Sequence, residues 1–219
     1  MIRIFIADDH PVVRAGLRHI IEQDRDMVVT GEVASRHDIL GALARTIVDV
    51  VLLDVSMPGM PFAETLRHLR EDHPSVRILV LSVHPEDQFA VRALRSGASG
   101  YITKDHSDTE LRDAIRRVFR GGRYVSETLG ERLASFVDPS FEGMPHERLS
   151  NREFEVLRSL GTGLRVKDAA NALALSPKTV STYRTRLLEK MGLSGTADIV
   201  RYVAAHGLTE LSEPALSVA

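Results

Sequence analysis

The chain has 219 residues, 43% hydrophobic and 26% charged, with a formal net charge of −2 and no cysteine. That composition belongs to a soluble globular protein with room for one large domain or two modest ones, and it excludes a disulfide framework and thiolate-metal chemistry. No apolar run approaches the roughly 18 residues that cross a bilayer, and the N-terminus enters a strand directly, so a cytoplasmic protein without a membrane partner is expected.

In chain order, Ile2 to Ala7 read as a strand interrupted only by Arg3. It ends in Asp8-Asp9-His10-Pro11, and Pro11 suits the first turn of a helix running to about Gln23 with Val12, Val13, Leu17, Ile20 and Ile21 as its apolar stripe. A second strand, Met27 to Val33, precedes a helix from about Ser35 to Arg45 that turns Ile39, Leu40 and Leu43 inward. The run from Val48 to Asp54 is apolar on both faces, and the turn residues Pro58-Gly59 follow closely. It has the pattern of a fully buried parallel strand that stops at Asp54. Next come a helix near Phe62 to Asp72, a strand Arg77 to Ser82, a helix near Pro85 to Ser96, a short strand Gly100 to Ile102 and a helix near Asp108 to Arg120.

Gly121-Gly122 closes that helix, and Ser126 caps a short one reaching Phe136. Asp138 to Pro145 holds two prolines and a glycine and cannot continue it, so this is the linker. Ser150 and Glu153 form a capping box that opens a helix with Phe154, Val156, Leu157 and Leu160 as apolar positions. Gly161-Thr162-Gly163 stops it, and a second helix spans about Val166 to Leu173. The turn Ala174-Leu175-Ser176 leads into a third helix from Pro177 to about Met191, and Ala197 to His206 supplies a fourth before a polar tail. Charge divides along the same line: residues 1–149 carry 19 Lys and Arg against 23 Asp and Glu, and residues 150–219 carry 9 against 7. The expected organisation is therefore a front domain over 1–120, a linker with a short helix over 121–148, a smaller all-α domain over 149–208 and a tail over 209–219.

Five strands alternating with five helices imply an α/β, doubly wound parallel sheet with its site outside the carboxyl ends of the strands. Asp8 and Asp9 follow strand one, Asp54 ends strand three, Ser82 ends strand four and Lys104 follows strand five. Singly, each Asp reads as an exposed carboxylate near a helix start. Jointly, a cluster of carboxylates stays ionised only beside a cation, and hard oxygen donors with room for water suit Mg²⁺. A carboxylate in that setting can attack a phosphoryl group to form an acyl phosphate, with Lys104 and the Ser82 hydroxyl holding the transferred oxygens.

The segments Ile6-Ala7-Asp8-Asp9-His10, Leu53-Asp54-Val55-Ser56-Met57-Pro58-Gly59, Leu81-Ser82 and Gly97 to Lys104 resemble the receiver domain of bacterial two-component response regulators. The resemblance covers about Met1 to Arg120 and implies a flavodoxin-like sheet in the order 2-1-3-4-5. It implies phosphorylation of Asp54 by a sensor histidine kinase, with Asp9 and Asp54 as metal ligands, Asp8 acting largely through water and the Ser56 main-chain carbonyl completing the set. It also implies a switch pair, Ser82 and Tyr101, in which the hydroxyl approaches the phosphoryl group and the ring turns inward. Without the resemblance, Tyr101 reads as a half-buried strand tyrosine with its hydroxyl at the surface. The side chains nearest the path of an attacking water are expected to be Ser56 and His84, neither an obvious water-activating group, so slow autodephosphorylation with His84 partly shielding the site is expected.

In the back half, a short helix, a tight turn and a longer helix fronted by Lys178, Thr179, Ser181, Thr182, Tyr183, Arg184, Thr185 and Arg186 match a helix-turn-helix. Charge alone would make this face a solvated helix surface, but small hydroxyls interleaved with Arg and Lys can meet phosphates and base edges together. Leu149 to Leu157, Ser176 to Tyr183 and Lys190-Met191-Gly192-Leu193 resemble the LuxR-type DNA-binding domain, so the whole chain resembles a NarL/FixJ-type response regulator. That resemblance implies that Ser181, Thr182 and Thr185 face base edges while Lys178, Thr179, Tyr183, Arg184, Arg186 and Lys190 contact phosphates. Two departures stand out: Arg165-Val166 replaces the usual polar pair, which puts the cap of the second helix in question, and Ser181 replaces a common basic residue.

The expected function is a DNA-binding transcription regulator, not an enzyme, in which phosphorylation promotes dimerisation, release of the DNA-binding domain, or both. Its implied partners are a sensor histidine kinase, double-stranded promoter DNA, a second copy of the chain on phosphorylation, and RNA polymerase as a candidate contact. The first and fifth helices of the receiver and the last helix of the chain are candidate dimer surfaces. The alternatives are a phosphorylation-independent dimeric binding protein with a locked receiver and, less favoured, an aspartyl phosphatase of the dehalogenase type. The phosphatase characteristically needs a second Asp where Ser56 stands.

Overall fold

Five short apolar runs form strands β1 (Ile2–Ala7), β2 (Met27–Val33), β3 (Val50–Asp54), β4 (Arg77–Ser82) and β5 (Gly100–Thr103), all parallel, in the order β2-β1-β3-β4-β5. The structure, a computed structural model, describes residues 1–83, 86–135, 144–173 and 175–208. The chain divides into two units, Met1–Ser135 and Phe136–Ala219. His84, Pro85, residues 136–143 of the expected linker, Ala174 and the 209–219 tail lie outside the described residues.

The strands alternate with α1 (Pro11–Glu22), α2 (Arg36–Leu43), α3 (Phe62–Asp72), α4 (Glu86–Arg95) and α5 (Asp108–Phe119). Every residue of β3 is buried, as expected for a central strand covered on both faces. Ile4, Ile6, Leu52, Leu79 and Leu81 pack in one core with Leu17 and Ile21 of α1 and Leu111 and Ile115 of α5. Their neighbours along the strands, Phe5, Val51, Leu53 and Val80, are equally buried, which is the period-2 consequence of the pleat. Doubly wound layering thus turns nearly every residue of β1, β3 and β4 into core, whereas the edge strand β2 buries only Met27 and Val29.

Three local readings need correction. Val12 is 84% exposed because the stripe runs Val13, Leu17, Ile20 and Ile21, and Val12 falls off that face. Leu40 is only partly buried, while Ile39 and Leu43 are fully so. Val48 and Asp49 precede β3: the Asp49 carboxylate accepts from the Arg3 backbone N–H at 2.8 Å and from Arg3 Nε at 2.9 Å. That pairing also accounts for the one charge in β1. The short helix α6 (Glu127–Ser135) belongs to the first unit and packs against α4, with Ser126 Oγ accepting from Leu129 N at 3.1 Å.

Among the described residues the second unit holds a 3₁₀ turn, Pro145–Arg148, and helices α7 (Asn151–Gly161), α8 (Val166–Ala172), α9 (Pro177–Met191) and α10 (Thr196–Ala205). The long helix α9 packs against α7 and α8, and α10 packs against α7. Among the described residues no helix is long and apolar enough to cross a membrane.

Leu52 is fully buried at the centre of the sheet. Leu52→Ala should destabilise the first unit by about 2–5 kcal/mol, read as a lower urea midpoint for its unfolding transition.

Candidate functional site

Strand register brings the functional side chains level. Ala7 pairs with Leu53, Asp54 with Leu81, and Ser82 with Thr103, so Asp8, Asp54, Ser82 and Lys104 emerge at one edge of the sheet. The edge includes the junction of β1 with β3, where the strand order reverses and doubly wound sheets form their crevice.

Asp8 and Asp54 are fully buried. The Lys104 ammonium lies 2.7 Å from Asp8 Oδ2 and 3.1 Å from Asp54 Oδ1, so it bridges two strand ends instead of serving Asp54 alone. Its own backbone N–H donates to the Ser82 carbonyl at 2.7 Å, which fixes the start of the loop that carries it. Asp8 Oδ1 accepts from the His10 backbone N–H at 2.8 Å, and Arg14 Nη1 donates to the Asp8 carbonyl at 2.8 Å. Neither Asp54 oxygen has a well-formed hydrogen bond, and Asp9 Oδ1 is buried in the same condition. Burial pushes the Asp54 carboxyl above its ordinary range; Lys104 pulls against that shift and Asp8 adds to it. Burial also opposes the Lys104 charge, but the hydrogen bond to Asp8 and the field of Asp54 outweigh it and hold the ammonium above its ordinary value.

Donor atoms of Asp8, Asp9, His10 and Asp54 lie within 4.8 Å of one another. Three carboxylates facing one ammonium leave negative charge uncompensated, and under-bonded buried oxygens are the donors a hard divalent cation takes. These residues therefore fit such a cation.

The loop after β3 is held from α2. Arg36 donates through its backbone N–H to the Pro58 carbonyl at 3.0 Å and through its guanidinium to the Met57 carbonyl. Gly59 has φ +113°, and a Cβ there would press within 3.0 Å of His37, so the turn needs glycine. Ser56 leads into this loop with its side chain exposed. Ser82 is buried, and Tyr101 is fully buried with its ring inside the fold, not half-buried with its hydroxyl at the surface. His84 lies outside the described residues.

Sequence reasoning gave no role to His10, whose Nδ1 lies 2.8 Å from Asp9 Oδ1, or to Arg14 and Arg36. His10 stands beside the Asp pair in sequence and was findable. The two arginines act on carbonyls, for which no side-chain pattern exists.

In the second unit, the Ser176 hydroxyl caps α9 by accepting from Thr179 N at 3.1 Å, and Pro177 takes the first helical position. Val180, Leu187 and Met191 bury one side, leaving Lys178, Ser181, Thr182, Thr185, Arg186 and Lys190 exposed and Thr179, Tyr183 and Arg184 partly so. The hydroxyls of Thr182 and Thr185 donate to the carbonyls four residues back, at 3.0 and 3.2 Å. Two expected phosphate contacts have internal partners: Lys190 Nζ lies 2.7 Å from the buried Glu153 Oε2, and Arg184 Nε donates to Thr196 Oγ1 at 3.0 Å. Arg165 caps α8 without a side-chain hydrogen bond.

Residues 4–116 match the family model of the response regulator receiver domain, and residues 147–203 match that of bacterial regulatory proteins of the luxR family. The chain is 34% identical over 209 residues to the response regulator UvrY of Escherichia coli K12, covering 95% of this chain and 96% of the relative. It is 36% identical over 213 residues to the response regulator GacA of Pseudomonas viridiflava, covering 97% and 100%. Among solved structures, RcsB of Salmonella enterica serovar Typhimurium, bound to a promoter in the presence of a phosphomimetic, is similar with a TM-score of 0.74 and 27% identity, covering 93% of this chain and 98% of that one.

Glu153 supplies a test of the second unit. Burial raises its carboxyl, but hydrogen bonds from Lys190 and from Ser150 outweigh this and depress it. Its stabilising contribution is thus complete above the ordinary carboxylate value of about 4.3 and is lost as pH falls through the lower folded-state value. Glu153→Gln should lower the melting temperature of this unit at neutral pH and flatten its acid side, read by circular dichroism melts between about pH 7 and about pH 3.

Proposed function

Because the chain belongs to the two-component response regulators that join a receiver domain to a LuxR-type DNA-binding domain, we propose that Asp54 is its phosphoacceptor and that α9 reads DNA. The protein is a phosphorylation-regulated transcription regulator. In this reading residues 1–120 receive the signal, 149–208 deliver it, and 121–148 join them.

The observation that carries the proposal is a fully buried carboxylate at the end of a central strand, with under-bonded oxygens and an ammonium 3.1 Å away. An Asp54 oxygen attacks the phosphorus of a phosphohistidine on the sensor kinase; the P–N bond breaks, and the kinase imidazole leaves with that electron pair and takes a proton. The product is an acyl phosphate. Lys104 then pairs with a phosphoryl oxygen, the Ser82 hydroxyl donates to another, and the buried Tyr101 ring occupies the space behind it. Asp9, Asp54 and the Ser56 main-chain carbonyl would hold Mg²⁺, with Asp8 bonded through its water. When bound, Mg²⁺ neutralises charge on the carboxylates and the phosphoryl oxygens. Slow hydrolysis is part of this reading, since Ser56, the residue expected beside the path of an attacking water, is no base.

Phosphorylation favours a cytoplasmic homodimer on paired half-sites about one helical turn apart. Promoter binding by the similar RcsB supports this reading. Ser181, Thr182 and Thr185 face base edges. Lys178, Thr179, Tyr183 and Arg186 contact phosphates, while Arg184 and Lys190 contribute less because Thr196 and Glu153 already engage them. RNA polymerase is a further partner of the promoter-bound dimer.

Asp54→Asn should abolish the acid-labile phosphoprotein band given by an acyl phosphate donor, and DNA affinity should no longer respond to that donor. Labelling of the variant with an unchanged DNA response would refute the assignment. For the DNA face, Lys178→Ala should lower the slope of log affinity against log salt by about one and Lys190→Ala by less, measured by fluorescence anisotropy on a promoter duplex.

A further inference from the structure

At the edge of the sheet opposite Asp54, four arginines surround one cavity. They are Arg70 from the last turn of α3, Arg77 at the start of β4, Arg95 from the last turn of α4 and Arg123 just beyond α5. The cavity has a volume of about 360 Å³, and among the described residues no carboxylate lines it. On the adjoining turns, Asp49 is engaged by Arg3 and Glu71 by Arg67, and Asp72 is exposed outside the lining.

The plain account of these arginines is that they balance helix dipoles, because α3, α4 and α5 all end here. Magnitudes decide against it as a full explanation. Each helix C-terminus is worth about half a negative charge, so three of them offset about 1.5 of four positive charges. Arg95 aside, the charges of Arg70, Arg77 and Arg123 still exceed that offset. Nor are the guanidinium groups all spent on the protein. Arg123 Nη1 donates to the Ala98 carbonyl at 3.1 Å, but the guanidinium groups of Arg70 and Arg77 have no hydrogen-bonding or acidic partner among the described residues.

The floor is built, not incidental. Gly97 has φ +107°, and a Cβ there would lie 2.0 Å from Arg70 Cδ, so the Arg70 stem crosses the chain only because this residue is glycine. Ser99 is tied to β4 on both sides, its N–H donating to the Ile78 carbonyl at 2.7 Å and its hydroxyl accepting from Ile78 N at 3.3 Å.

We propose that this cavity is a binding site for a small multivalent phosphate anion carrying a pyrophosphate group. Forked guanidinium donors match phosphate oxygens in pairs, Arg70 and Arg77 from separate elements offer a fork to each of two linked phosphates, and the volume is that of a small-molecule site. The polar lining favours the phosphates over an apolar body as the recognised part. Nothing in the phosphoryl-transfer reading requires this site, and its anion would reach the receiver independently of Asp54.

The test titrates the full chain, with EDTA present to silence the carboxylate site, against inorganic pyrophosphate in one arm and ATP in the other, at constant ionic strength with orthophosphate as control. Calorimetry should give one saturable site. Saturation by pyrophosphate alone would mark a free inorganic anion as the ligand, and saturation by ATP would mark a nucleotide-borne group. Arg77→Gln and Arg70→Gln should each weaken binding about tenfold or more. Arg77→Lys, which keeps the charge and loses the fork, should fall between. In the wild type, the amide resonances of Ser99, Gly121 and Gly122 should shift on titration, a readout that needs no variant. The proposal is overturned if neither anion saturates a site above the orthophosphate control. It is equally overturned if binding is unchanged in the arginine variants and those amides stay still, which would place the anion on another basic surface such as that of α9.

Discussion

The Lys104 ammonium, held between Asp8 and Asp54, is the interaction on which the first unit depends. It joins the ends of β1 and β3 from a loop that follows β5, so one charge spans the sheet across β4. A single ammonium cannot neutralise Asp8, Asp9 and Asp54, and the surplus negative charge is kept under-bonded in a buried place. That surplus makes the cluster fit a hard divalent cation. The surrounding structure resists its relaxation: register levels the strand ends, Arg14 holds the Asp8 carbonyl, and Arg36 holds the loop after β3.

Much of this was legible in the sequence because a parallel sheet converts strand order and strand ends directly into a site. All five strands, and the residues at their carboxyl ends, follow from short apolar runs and the turn residues behind them. What was not legible depended on partners distant in sequence. Val12 looked apolar and inward until the core fixed which stripe of α1 faces the sheet. Arg3 interrupted an apolar strand for no visible reason, and Asp49, 46 residues away, supplies it. The depth of Tyr101 could not be read from its strand position, since either face of a covered sheet is interior. In the second unit, helix caps and apolar anchors were readable from local spacing. The internal engagement of Lys190 was not, because Glu153 lies 37 positions before it.

The two units handle charge in opposite ways. The first concentrates unbalanced carboxylates at one edge of its sheet and unbalanced guanidinium groups at the other, so its two ends present opposite fields. The second carries its positive charge on α9, where the hydroxyls of Thr182 and Thr185 are folded back on their own backbone and the last lysine is internally paired. With Arg184 and Lys190 engaged internally, the exposed face of α9 is left with Lys178 and Arg186 as its positive charges toward solvent.

Glu153 has a consequence for how that second unit comes apart. One oxygen, Oε2, accepts from the Ser150 backbone N–H at 2.8 Å, the Ser150 hydroxyl at 2.9 Å and Lys190 Nζ at 2.7 Å. The first turn of α7 and the last turn of α9 share this acceptor, so neither frays without stripping bonds from the other. The end of α9, which would otherwise be the natural place for local opening, is bound to the opening of α7, and hydrogen exchange at both helix termini should follow a single cooperative event.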